Sequence, residues 1–382
     1  MKEQYIVLTG SKNNAGDYLI KYRAKKLFKE FRPDREIIDY NAWEKFDQTR
    51  LNEVNNSKAL ILLGGPALQS PMRPKIYPMV DNLDDIKVPI IMMGIGWKSV
   101  NGSWNDTYEY PLTDDSIKLL KKIDQSGYQS SVRDYHTLNA IRFKGCNNFM
   151  MTGCPAYYDL PSIDNDIKIS AKLNKVAFSL GVSFIESSSM QKQMKEVIIA
   201  LNDLYKEQIF EVVFHHSLQK EKFLQTHNAT SKHVNAHNDF ASWLDKQNIA
   251  YVDISGSAEN LMNYYSEVDL HIGYRVHAHI FMNSISKFSV LISEDGRGKA
   301  TKDVIGGIVL DGFSKVKMNL LSKVLGKLTP KYDRFEANNY IKKELIDNID
   351  YEKKIDYSRI KASRKSIDNN LNIMKKFIQQ LP

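Results

Sequence analysis

Short continuous apolar runs alternate with amphipathic stretches along most of the chain. Tyr5–Thr9 reads as a buried strand, and further strand-like runs fall at Glu36–Asp39, Lys58–Leu63, Val88–Met93, Gln129–Val132 and Asn148–Met151. Between them, Asp17–Phe31 carries Tyr18, Leu19, Tyr22, Ala24, Leu27 and Phe28 at helical spacing, and Thr113–Ile123 and Asp134–Phe143 repeat the pattern. Apolar strands separated by helices predict a parallel sheet covered on both faces.

The stretch Pro155–Asn165, with two prolines and several aspartates, marks the passage to a second series. Strand candidates there are Val176–Leu180, Phe210–Phe214, Ala250–Asp253, Leu270–Ile272 and Phe288–Ile292. Gln191–Leu204 is an amphipathic helix with Met194, Val197, Ile198, Leu201 and Leu204 on one side. The polar, His-rich segment Leu224–His237 predicts a loop. After about Tyr332 the chain turns polar and helical, ending in a helix at about Asp356–Gln380. The expected fold class is α/β, with two Rossmann-like parallel-sheet domains facing a cleft. Residues 1–160 form the first and 170–330 the second, with 331–382 packing back on the first.

Composition narrows the class. At 382 residues the chain holds two or three domains of roughly 150 residues each. Apolar residues are 42% and charged residues 26%, which excludes a wholly disordered or fibrous chain. Two cysteines, Cys146 and Cys154, exclude a disulfide framework and a structural zinc site, and fit a reducing cytoplasm. No run approaches the ~18 apolar residues of a membrane span, and Ile6–Leu8 is too short for a signal-peptide core. Lys plus Arg total 53 against 45 acids, a net charge of +8 with the signs interleaved. That balance suits an anionic small substrate, or peripheral contact with an anionic membrane face, better than a nucleic-acid groove.

In open α/β sheets ligands bind outside the carboxyl ends of the strands, so motifs there carry the chemistry. The first strand runs into Asn14-Ala15-Gly16-Asp17, a tight loop at a helix start that Asp17 is placed to cap. The third ends in Gly64-Gly65-Pro66 and the fourth in Gly94-Ile95-Gly96-Trp97, without the spacing of a dinucleotide site. Ser131-Val132-Arg133-Asp134 puts an arginine, whose planar fork suits carboxylate or phosphate, at a strand end. Gly273-Tyr274-Arg275-Val276-His277 opens an apolar helix, where the dipole and free N–H groups favour an anion and an imidazole can move protons. His271 and His279 are expected to pack or support. Arg297, in Glu294-Asp295-Gly296-Arg297, offers a further cation. His233 and His237 share an i, i+4 spacing without the glutamate of a zinc helix, so no metal site is expected.

Together these motifs resemble the polysaccharide pyruvyl transferase family. The shared pattern is N-x-G-D at Asn14–Asp17, a glycine loop at Gly64-Gly65 with Pro66 in place of a third glycine, S-x-R-D at Ser131–Asp134, and G-x-R-x-H at Gly273–His277. Asp295-Gly296-Arg297 is similar to a later D-S-R, departing at Gly296, and the Gly94 loop departs from the family's run. The resemblance spans roughly residues 5 to 310. It implies a GT-B-like fold and transfer of the enolpyruvyl unit of phosphoenolpyruvate to two sugar hydroxyls, giving a pyruvate ketal and phosphate. It implies catalysis by His277 and Arg275, donor binding by Arg133, Arg275, Arg297, Gly273 and Ser131, and acceptor binding by Asn14, Asp17, Gly64 and Gly65. It implies no cofactor beyond phosphoenolpyruvate as co-substrate. The partner is a sugar or lipid-linked oligosaccharide made for the cell surface, modified in the cytoplasm or at the inner membrane face. Two other readings use the same features: a GT-B glycosyltransferase taking a nucleotide sugar, and a non-catalytic carbohydrate-binding protein.

Overall fold

The computed structural model describes residues 3–10, 14–167, 169, 172–225, 229–316, 324, 333 and 335–382. The chain forms two compact units. The first takes in residues 1–11, 17–163 and 366–382; the second takes in 12–16 and 164–365.

In the first unit, β1 (Glu3–Thr9), β2 (Arg35–Asn41), β3 (Ala59–Leu63) and β4 (Ile90–Met93) form a parallel sheet in the order β2-β1-β3-β4. Residues 59–63 are buried throughout, as a strand covered on both faces requires. β5 (Ser130–Val132) and β6 (Phe149–Met151) pair in parallel and join this sheet through the Ile95–Val132 bridge. The helices start where the sequence supplies caps. Thr113 Oγ1 accepts from the Ser116 amide at the head of Asp114–Asp124, and Asp134 Oδ1 accepts from the Thr137 amide at the head of Tyr135–Arg142.

In the second unit, β7 (Lys175–Ser179), β8 (Ile209–Phe214), β9 (Tyr251–Asp253), β10 (Leu270–Gly273), β11 (Phe288–Ser293) and β12 (Ile308–Asp311) are all parallel, in the order β12-β11-β10-β7-β8-β9. Strand order reverses between β7 and β10, the place where such sheets open a crevice. Val176, Phe178, Val212, Leu270, Ile272 and Val290 pack with Met190, Met194, Val197, Ile198 and Leu201 of helix Ser188–Leu204.

Two expectations need correction. The polar, His-rich segment Leu224–His237, of which 226–228 lie outside the described residues, is not a loop throughout: from Ser231 it is helix, as part of Ser231–Lys246. Val234, His237, Phe240, Ala241 and Leu244 recur at helical spacing and are buried, so the apolar period outweighs the polar composition. Of residues 331–382, only 366–382 join the first unit. Helix Ile341–Lys354 lies in the second, with Ile341, Leu345 and Ile349 in its core, as does Ile360 of helix Ser358–Gln379; residues 331, 332 and 334 are outside the described residues. Among the described residues no helix is long and apolar enough to cross a membrane.

Candidate functional site

At the switch point of the second unit the strand ends meet over a glycine. Gly273 ends β10 with φ at +146°, and a Cβ there would fall 2.6 Å from the Ser179 nitrogen and closer to its carbonyl oxygen. The missing side chain lets the end of β7 meet the turn that follows. The Tyr274 amide donates to Ser179 O (2.9 Å) and the Arg275 amide to Ser179 Oγ (3.0 Å). Arg275 is therefore fixed at the head of helix Val276–Ser284.

Its guanidinium is also held. Nε donates to Leu180 O (2.6 Å), and Nη2 donates to Gly181 O (3.5 Å) and to His216 Nδ1 (3.2 Å). Burial pushes the Arg275 pKa down to about 10, so the cation persists at neutral pH. Arginine can only donate, so His216 Nδ1 accepts and the imidazole is neutral. Burial first, then the Arg275 charge, pushes the His216 pKa well below the ordinary value. His216 follows β8 and is half-buried. Glu294, after β11, accepts from the Val182 and Ser183 amides (2.8 and 2.9 Å) and closes the loop after β7.

His277 is half-buried, one position into the helix. Its ring lies against Gly16, where a Cβ would fall 2.9 Å from the His277 Cβ and nearer still to Nδ1. Asn14 Oδ1 accepts from the Gly16 amide at the start of helix Ala15–Phe31. Asn14 therefore caps this helix, and Asp17, expected to do so, lies inside its first turn. Arg297 is turned onto Asp295, with Nε and Nη2 at 2.8 and 2.6 Å from Oδ2, so an anion there meets an ion pair.

Beneath this surface runs a buried polar chain. Ser179 Oγ lies 2.8 Å from His271 Nε2, His271 Nδ1 lies 2.8 Å from Ser289 Oγ, and Ser289 Oγ lies 2.8 Å from His279 Nδ1. The supporting role expected of His271 and His279 is this chain. Burial pushes the His279 pKa down to about 3 and that of His271 well below normal.

The first unit holds its own corner. Gly64 and Gly65 take φ of +58° and +71° at the end of β3, and the Gly96 amide donates to Gly65 O. Arg133 is 7% exposed, its Nε 3.4 Å from Asp134 Oδ2 and its Nη2 buried without a hydrogen-bond partner. A desolvated cation with a free donor is what an anion would complete. Gly96 makes the room for it. Ser131, expected at the donor, uses its hydroxyl inside the sheet, accepting from the Gly94 amide (3.0 Å) and from Thr152 Oγ1 (2.9 Å). The sequence shows Gly96 and Glu294 in strand-end motifs without marking a role for either, and His216 reads there as part of a solvated histidine-rich loop; in the structure it accepts from Arg275 beyond the carboxyl end of β8.

A family model described as polysaccharide pyruvyl transferase matches residues 14–281, well over half of the chain. Among solved structures, the apo form of OtsA is similar over 98% of each chain, at 8% identity and a TM-score of 0.52. A protein assigned as a UDP-N-acetylglucosamine 2-epimerase from Listeria monocytogenes is similar over 98% of this chain and 96% of its own, at 10% identity and a TM-score of 0.51. At such identities the likeness concerns the fold, which is GT-B-like. No curated protein matches the sequence.

Proposed function

Because the chain belongs to the polysaccharide pyruvyl transferase family, we propose that it moves the enolpyruvyl unit of phosphoenolpyruvate onto two hydroxyls of one sugar in a cell-surface glycan precursor. The first hydroxyl adds to C2 while C3 takes a proton and becomes a methyl group. Phosphate then leaves, and the second hydroxyl closes the ketal and releases its proton. The balance is two hydroxyls and one phosphoenolpyruvate in, one ketal and one phosphate out.

The observation that carries this reading is the arrangement at residues 273–277. A fixed, charged guanidinium and an imidazole stand together where a helix N-terminus favours an anion. Arg275 neutralises an anionic group of the donor, and His277 moves the proton between hydroxyl and C3. General acid–base catalysis of this kind is worth about 10²–10⁴-fold. Arg133, with its unpartnered nitrogen, is a second cation suited to carboxylate or phosphate. The acceptor is a sugar or a lipid-linked oligosaccharide, met in the cytoplasm.

Calorimetric titration with phosphoenolpyruvate and with UDP-N-acetylglucosamine tests the reading, together with phosphate release in the presence of candidate glycans. Saturable binding of phosphoenolpyruvate is expected. Binding of the nucleotide sugar alone would replace this reading by a glycosyltransferase.

A further inference from the structure

The first unit carries aromatic surface that the proposed chemistry leaves unused. Trp97, fully buried, stacks on His136 with ring centroids 5.1 Å apart and planes 21° apart. His136 in turn stacks on Trp104 at 4.0 Å and 24°. The two inner rings are buried and the outer one, Trp104, is 43% exposed. Tyr108, 48% exposed and four residues beyond Trp104, meets Phe143, 53% exposed, edge-on at 4.8 Å. Exposed rings gathered in one place mark an interaction surface rather than chance. This one is rigid, because its inner end is set in the core, so little side-chain freedom remains to be lost on binding.

The stack is tied to the corner already described. Trp97 follows Gly96, whose amide donates to Gly65 O. The Trp97 amide donates to Thr137 Oγ1 (2.9 Å), which donates to Asp134 Oδ1 (2.7 Å), the residue after Arg133. The rings therefore hold a fixed place beside the glycine loops and the buried arginine. The chemistry around them is polar and mildly acidic. The short helix Asn105–Tyr108 carries Asp106, Glu109 follows it, and neither Lys nor Arg lies between Trp104 and Glu109. Arg142, the last residue of helix Tyr135–Arg142, and Lys144 flank Phe143 in sequence, and a single exposed lysine, Lys98, follows Trp97. An anionic lipid surface is met by clustered cations, which the Trp104 end lacks. A pyranose instead offers a face of C–H groups to a ring and a rim of hydroxyls to polar groups such as the exposed Asn105; Asp106 beside it already accepts at Oδ2 from Ser99 Oγ (2.9 Å) and the Ser103 amide (3.3 Å).

We infer that Trp104 is the floor of a sugar subsite, stacking the C–H face of one hexopyranose of the acceptor glycan. The choice of glycan as ligand rests on the function proposed above; the site itself rests on the ring stack. The test is saturation-transfer NMR and titration with three plain hexopyranosides, methyl β-glucopyranoside and its C2 and C4 epimers, on wild type, Trp104→Ala and Trp104→Phe. Circular dichroism checks that each variant is folded. Transfer to the ring C–H protons of at least one glycoside is expected in wild type. Affinity should fall about tenfold in Trp104→Ala and less in Trp104→Phe. Phosphoenolpyruvate affinity, titrated in parallel, should not change in either variant. Wild type that binds none of the three glycosides, or Trp104→Ala that binds them as wild type does, overturns the inference. So does a Trp104-dependent association with phosphatidylcholine–phosphatidylglycerol vesicles, or a dimer in sedimentation that Trp104→Ala dissolves. Failure of wild type to bind phosphoenolpyruvate while glycoside binding depends on Trp104 would remove the proposed reaction and leave the subsite standing.

Discussion

The guanidinium of Arg133 fills the space that a side chain at Gly96 would need. A Cβ on Gly96 would fall 2.6 Å from Nη2 and nearer still to Nε. Gly96 is not among the residues with positive φ, so its backbone accepts alanine and only the guanidinium must move. Gly96→Ala is therefore a way of displacing Arg133 without removing it. Phosphoenolpyruvate affinity should fall as in Arg133→Ala, by about 1.5–3 kcal/mol, the worth of a charge-assisted contact. Calorimetry on both variants checks this, and wild-type affinity in either one counts against Arg133 as a donor-binding group.

At Arg275 the geometry of the charge matters as well as its sign. Its fork reaches Leu180 O, Gly181 O and His216 Nδ1 at once. A lysine keeps the charge but presents a single point and no fork. Arg275→Lys should therefore lose nearly as much donor affinity as Arg275→Ala, again about 1.5–3 kcal/mol. Full binding by the lysine variant would mean that charge alone suffices.

His277→Asn should lower turnover at least ~10²-fold while donor affinity changes by less than about tenfold. Gly16→Ala should reproduce part of that loss, because its Cβ would push the His277 ring aside. His279→Asn is a different matter. The residue is buried and bonded to Ser289, so its loss leaves a polar group without its partner. Stability should drop by about 1–3 kcal/mol, the cost of such an orphan. Steady-state kinetics and denaturant titration separate the two histidines; a stable, inactive His279→Asn would exchange their roles.

Acid should unfold the second unit early. Burial holds His237 at about 4 and His279 at about 3, and lowers His215, His216 and His271 as well. The unfolded chain protonates these residues near pH 6.5 and the folded chain resists, so U binds more protons below that value. Stability is then full above about pH 6.5 and falls as the pH drops toward 4, by about 1.4 kcal/mol per unit for each histidine held neutral. Urea titrations at pH 7.5, 6 and 5 measure the slope. Unchanged stability across that range would mean that these histidines charge within the fold.

Periodicity made the sheets legible, because strands such as Ala59–Leu63 are apolar without a break and helices such as Ser188–Leu204 have one apolar side. It failed at Ser231–Lys246, where His233 and His237 masked a helical stripe. At the candidate site, Arg275, His277 and Arg133 were legible as charged or titratable groups at strand ends. Ser131 and Arg297 were legible too, but only coordinates reveal that neighbours already engage them. Gly96 leaves room for Arg133 and His216 accepts from Arg275; beyond a place near a carboxyl strand end, neither the space nor the bond has a mark in a single sequence.

The path of the chain between its units has a practical consequence for proteolysis. It leaves the first unit at residue 163, and residues 366–382 rejoin that unit within helix Ser358–Gln379. A single cut just after residue 164 yields a fragment that begins with the second unit and ends in a segment belonging to the first. Ile367, Met374, Phe377 and Ile378 of that segment are buried. The nicked protein should therefore run as two bands in a denaturing gel yet elute as one particle.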